Sequence, residues 1–309
     1  MTRGVGYLTF LLASLVLASV ARADDVPPEA VIATIPFAGD PRSDGLLLDL
    51  KAGGESCKVG LVTSWALSVG SKSAEHAIEA VLPRVSGLGI LRLDRDGAGI
   101  FHPVPAFYAA ASDDCVGLVG GKLVRDYVLD LDFRARVALL LDPARFQVPE
   151  STQRPEEAVV PVRIVEDRPV VEIRINGHPL EVLVDTGLAN PLLLSVEAVK
   201  RLGISVDRLP PAGEFLGAPA RRLESAEAEI GRLRFDSVPA IVPARESYHP
   251  GKLRFWVTSG PKPPDASAIG CGLLSSAHVR IDYPRSRMWL RREALGATAG
   301  TTHAQGGPP

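Results

Sequence analysis

Cysteine is nearly missing from this chain: Cys57, Cys115 and Cys271 are the only three among 309 residues. An odd count excludes a fully paired disulfide framework. Cys57 and Cys115 each precede an apolar strand pattern in the first half, and their spacing leaves a bridge between them open, since it does not define a Cα separation. Histidine is also sparse, with six scattered residues. His76 and Glu79 share a predicted helix, but no second histidine pair completes a metal set, so no metal is expected. Asp94-Arg-Asp-Gly-Ala-Gly99 has calcium-loop composition without the ligand spacing and reads as a hairpin turn. Positive charge is not in excess. The formal net charge of -2 leaves no electrostatic footprint for nucleic acid or an anionic membrane surface. There is no Gly-x-Ser-x-Gly elbow and no phosphate-cradling glycine loop, and no cofactor is expected.

What is present begins with an export signal. Arg3 precedes a mostly apolar run from Tyr7 to Val20, and Ala21-Arg22-Ala23 is a small-x-small cleavage site before Asp24-Asp25. Residues 1–23 are therefore read as a signal peptide. The mature chain is expected outside the cytoplasm, periplasmic or secreted, with no stable membrane span after cleavage.

Strand patterns dominate the rest. Val171-Glu-Ile-Arg-Ile175, Leu129-Asp-Leu-Asp-Phe133 and Val279-Arg-Ile-Asp-Tyr283 alternate strictly, as half-buried strands do. Helical signals are few: Ser195 caps a short predicted helix that stops at Gly203, and Ser73 caps a counterpart ended by Pro83. These parallels repeat over domain length. Each half reads strand, glycine turn, apolar strand, tight turn, short helix, variable middle, apolar-apolar-Gly segment and closing hairpin. Leu118-Val119-Gly120 corresponds to Ala268-Ile269-Gly270. Asp132 and Asp282 each lie twelve positions beyond those glycines, and their recurrence in both halves argues that they are structural. The expected division is residues 31–142, a linker over 143–158, residues 159–293, and a disordered Gly/Ala/Thr/Pro tail over 294–309.

Val184-Asp185-Thr186-Gly187 is the most informative stretch. It follows an apolar strand and an Asn176-Gly177 turn. Aligned on the turns, Val62-Thr63-Ser64 stands at the same place in the first half, with valine where the other half has its acid. The second half resembles the retropepsin-like family of bacterial aspartic peptidases. The resemblance runs from about Val160 to Arg292. It comprises the Asp-Thr-Gly loop, the capped helix ending in Leu202-Gly203, the stretch Gly213-Glu-Phe-Leu-Gly217, Ala228-Glu-Ile-Gly-Arg-Leu-Arg-Phe, Val238-Pro-Ala-Ile-Val, Ile269-Gly270 and Ile281-Asp-Tyr-Pro-Arg-Ser-Arg.

The resemblance implies an all-β fold of two tandem closed β-barrel lobes, each with one short helix, the first lobe degenerate. Asp185 would be the catalytic acid/base, Thr186 and Gly187 would support its loop, and Gly270 would be the glycine of the second strand. Gly213, Phe215 and Gly217 would belong to a flap over an extended peptide or unfolded polypeptide substrate. Such enzymes pair two aspartates that share a proton, and Val62 cannot supply the second. Thr63 and Ser64 carry hydroxyls whose pKa values are far too high for that role. Two arrangements follow: facing halves with a single acid, or a homodimer through residues 159–293 that brings two Asp185 together. Two functions follow as well, an aspartic endopeptidase or a peptide-binding module that has lost the chemistry. Trp65 would plug the first half's vestigial site, and Cys271 either lines the cleft or is a small buried hydrophobe.

Overall fold

The computed structural model describes residues 26–52, 55–64, 69–70, 78, 91–92, 115–215, 218–243 and 267–292. The first half contains β1 (Val31–Pro36), β2 (Leu47–Ala52), β3 (Glu55–Val62), β4 (Val69–Gly70), β5 (Leu91–Arg92), β6 (Cys115–Gly120), β7 (Val128–Asp132) and β8 (Val137–Leu141). The second contains β9 (Glu157–Val165), β10 (Arg168–Ile175), β11 (His178–Asp185), β12 (Leu192–Leu193), β13 (Pro211–Phe215), β14 (Ala218–Ile230), β15 (Leu233–Pro243), β16 (Ala268–Gly270), β17 (Ala277–Asp282) and β18 (Arg287–Arg292). Among the described residues, the α-helices with given bounds are α1 (Pro41–Asp44), α2 (Gly121–Val124), α3 (Val196–Arg201) and α4 (Cys271–Leu274).

The turns follow from local chemistry. Asn176 and Gly177 both take positive φ, 50° and 79°, and join Ile175 to His178 in a two-residue hairpin. Glu166 and Asp167 do the same between β9 and β10. Asp132 accepts the Ala135 N–H at 2.7 Å and Asp282 the Arg285 N–H at 3.1 Å, so these two acids cap the closing hairpins. Ser195 caps α3 through the Ala198 N–H at 3.0 Å, and Gly203, with φ 73°, ends it. Of the helix expected near Ser73, only Ile78 is described; it is helical and buried.

The expectation of two closed barrels is wrong. Thirteen strands run in the order β1-β8-β7-β17-β18-β9-β10-β11-β16-β12-β15-β14-β13, and β2-β3-β6-β4-β5 form a second sheet. Around Asp185 the strands make a loose ring, joined only by the pairs Arg174↔Glu229 and Ile175↔Ala228 between β10 and β14. Barrel closure demands a continuous ladder at every seam, and two residue pairs do not provide one. The edge of β10 that reaches β14 is already paired from Arg168 to Val171 with β9, and β9 is itself divided. Its residues Glu157 to Pro161 pair with β18, whereas Val162 to Val165 pair with β10, so the strand passes from a shared sheet into the ring. The expectation of one helix per half is also corrected. Among the described residues, α1 and α2 in the first half and α4 in the second come in addition to the expected helices, because four-residue helices are too short to leave a periodic signal.

The shared sheet joins the halves. β7 of the first half lies antiparallel to β17 of the second, with Asp130 opposite Arg280. Asp130, His278 and Arg280 are buried. Asp130 binds His278 Nε2 and accepts from Arg280 Nε at 2.7 Å. Arg280 also lies over the rings of Phe146 and Trp289. Burial of such charges is tolerated because they are paired and hydrogen-bonded. A single apolar core runs from Ala33 in β1 to Leu290 in β18, so both halves contribute to it.

Candidate active site

β11 ends fully buried, from Val182 to Asp185, because it is flanked on both sides. β10 pairs with it antiparallel, and β16 pairs parallel with Asp185 opposite Gly270. β3 is built the same way: β2 is antiparallel to it and β6 parallel, with Val62 opposite Gly120. Asp185 and Val62 therefore occupy equivalent positions, each the last residue of a strand paired with a glycine and followed by threonine. Glycine is required at 270, since a Cβ there would lie 2.2 Å from the Asn190 carbonyl oxygen and 2.4 Å from that of Leu188.

The two threonines bind each other's halves. Thr63 Oγ1 donates to the Val184 carbonyl at 2.6 Å and accepts the Thr186 N–H at 3.1 Å. Thr186 Oγ1 donates to the Leu61 carbonyl at 2.6 Å and accepts the Thr63 N–H at 3.2 Å. Both side chains are fully buried. The Thr186 carbonyl accepts the Leu46 N–H at 2.7 Å and the Cys271 thiol at 3.0 Å. Gly45 closes against the same loop: with φ 69° and the Gly187 carbonyl oxygen 2.5 Å from where its Cβ would be, only glycine fits.

Asp185 is 8% exposed. The Gly187 N–H donates to its Oδ1 at 2.9 Å, the Leu188 N–H donates to the Asp185 backbone carbonyl at 3.2 Å, and the Ser64 hydroxyl of the first half acts to lower the carboxyl's pKa. Burial outweighs these donors and pushes Asp185 up to about 6. Among the described residues no second carboxylate acts on it. Val62 is buried with no exposed surface, and it carries no ionisable group. Cys271 is a buried free thiol, pushed up by burial first and by the Asp185 charge second. It supports the loop rather than opening to solvent.

The other sequence-derived candidates divide. Phe215 is buried with Leu183, Leu188, Leu193 and Ala220, which ties the β13–β14 hairpin to the Asp185 loop. Gly213 takes φ 77° with open space around it. Gly217, Trp65, His76, Glu79, the 94–99 turn, residues 1–23 and the tail from 294 lie outside the described residues. No group of three or more His, Cys, Asp or Glu among the described residues could hold a metal ion. No helix among them is long and apolar enough to cross a membrane. Sequence reasoning missed the contacts of Ser64 with Asp185 and of Gly45 and Leu46 with the 186–187 turn. For Ser64 the signal was present: a hydroxyl residue at the position of Gly187, set aside because it is not an acid.

Of the two arrangements the sequence left open, one a homodimer through residues 159–293, the chain shows the Asp185 turn bound to the Thr63 turn of its own first half.

A family model described as an aspartyl protease matches residues 171–255, a span that includes Asp185 and the β13–β14 hairpin. No curated protein matches the chain. Among solved structures, a retropepsin-like aspartic protease from Rickettsia conorii is 18% identical, with 44% of this chain and 89% of that one covered, at a TM-score of 0.32. Basic 7S globulin from soybean is 12% identical, with 85% of this chain and 97% of that one covered, at a TM-score of 0.46. Over residues 171–255 this chain therefore carries a partial match to an aspartyl-protease family model.

Proposed function

We propose that this chain is an exported aspartic-type endopeptidase whose site is assembled within one polypeptide and contains one acid, Asp185. The observation that carries the reading is a carboxylate, 8% exposed, ending the buried strand β11 on an Asp-Thr-Gly turn within the span matched by the aspartyl-protease model. Burying a carboxylate without a cationic partner is costly, such groups concentrate at functional sites, and the equivalent place in the first half holds valine. Above about pH 6 the ionised Asp185 takes a proton from a water attacking the scissile carbonyl of an extended peptide. That proton then goes to the departing amine. Val62 leaves the carbonyl without the second acid that would polarise it. The rate is therefore expected about 10²- to 10⁴-fold below that of a two-acid site, the range that one general acid supplies. In this reading the first half is a second copy of the fold whose acid has been replaced.

The second reading is a binding module that grips an extended segment of a partner through backbone pairing. Val62 favours it. Asp185→Asn separates the two. The peptidase reading expects cleavage of a peptide library to disappear, with circular dichroism unchanged. Unaltered peptide affinity in the variant, together with no turnover by the parent at any pH from 4 to 8, abandons the enzyme in favour of the module.

A further inference from the structure

We propose that Ser64 is a positioning residue for Asp185, its O–H donating from the opposite half to the carboxylate and fixing how that carboxylate faces water and substrate. This deepens the peptidase reading and rests on it for its consequence in catalysis, though the contact itself does not. Three features place Ser64 there. The four threonine hydrogen bonds hold the 62–64 turn against the 184–187 turn, with distances of 2.6 to 3.2 Å. Ser64 stands at the position that Gly187 occupies in the other half, and its backbone does not enter the left-handed region, so a side chain is accommodated without strain. Ser64 is partly exposed while its neighbours Val62 and Thr63 are buried, so among these three it is the side chain with access to solvent.

The direction of the bond is dictated by chemistry. An ionised carboxylate only accepts, so the Ser64 hydrogen is committed to Asp185 and its lone pairs face outward, free to accept from a water. Gly187 donates from the loop of Asp185 itself, and the Ser64 hydroxyl is the group that acts on Asp185 from the first half. The charged and titratable groups on the elements around Asp185 are engaged elsewhere or neutral. Arg168 at the start of β10 is ion-paired with Glu166. Arg42 of α1 is held by Ser275, and Asp40 accepts the Arg42 N–H at the start of α1. Cys271 of α4 stays protonated, raised by burial and by Asp185.

The test is a carbon-detected NMR titration of the Asp185 carboxyl, assigned by its loss in Asp185→Asn and run on the full chain. Ser64→Ala and Ser64→Gly are expected to move its midpoint upward by about half to one pH unit, the span one neutral hydrogen bond represents. Ser64→Thr, which keeps the hydroxyl, is expected to restore it. With a cleavable peptide, the acid limb of kcat/KM should move by the same amount in Ser64→Ala and Ser64→Gly and return in Ser64→Thr. An unmoved midpoint in both Ser64→Ala and Ser64→Gly overturns the proposal. So does covalent labelling of Ser64 by a fluorophosphonate, which would make it a nucleophile. If the midpoint moves while no variant and no parent cleaves any peptide, Ser64 keeps its role and the peptidase reading fails.

Discussion

A carboxylate ending a buried strand is a liability that shows in stability, and the sign can be worked out. Asp185 titrates near 3.8 when the chain is unfolded and at about 6 when folded. Between these values the folded chain binds the extra proton, so folding is favoured as pH falls through 6 and the penalty is fully present above it. The gap corresponds to roughly 3 kcal/mol at 1.36 kcal/mol per unit. Asp185→Asn removes that titration. Urea unfolding should show the variant gaining on the parent protein by about this amount as pH rises from 4 to 8. A difference that stays flat over that range would mean that Asp185 is not desolvated. Asp185 and Val62 were both legible in the sequence because the Asp-Thr-Gly turn and its acid-free counterpart align on glycine turns. Ser64 was legible as a residue but not as a contact. Its partner lies over a hundred positions away, and only the threonine pairing shows that the two turns meet.

At the scale of elements, the hairpins were readable where turn chemistry is explicit. Asn176-Gly177 supplies two left-handed residues at low strain, whereas Glu166-Asp167 reaches the same geometry without glycine and gave no comparable signal. The Ser195 cap and the Gly203 stop were readable for the same local reason. Barrel closure was not. Alternation says which face of a strand is buried, not which strand lies beside it, and β9 divides its length between two neighbours. The threonine pair connects these elements across the molecule, and Thr63→Val isolates its contribution. The valine keeps the volume but deprives the Val184 carbonyl and the Thr186 N–H of their partner, both in buried surroundings. Unfolding by urea should show a loss of roughly 2 to 4 kcal/mol, the range for two buried groups left unsatisfied. A loss below about 0.5 kcal/mol would mean that the two turns do not depend on each other.

For the whole molecule, the question is whether residues 159–293 can stand alone, as the family resemblance of that segment implies. Four losses accompany removal of the first half. β17 loses its partner β7, along Val279 to Asp282. Arg280 and His278 lose the Asp130 carboxylate that pairs with both of them. Trp289 keeps its hydrogen bond to Glu157 only if the fragment begins before that residue, and it loses packing against Val128, Leu141 and Phe146 in any case. Thr186 loses every bond to Thr63 and Leu61. Set against a typical domain stability of about 5 to 15 kcal/mol, these losses are enough to unfold the piece. A fragment of residues 159–293 is therefore expected to lack a cooperative thermal transition as a monomer. The full chain should sediment as a monomer whose specific activity does not fall on dilution, because Thr63 already fills the face a second copy would need. A fragment that stays monomeric, melts cooperatively and disperses its amide NMR spectrum like the parent chain would show that the shared sheet and the threonine pair are dispensable. Activity of the full chain that falls with dilution would show that two copies of Asp185 meet after all.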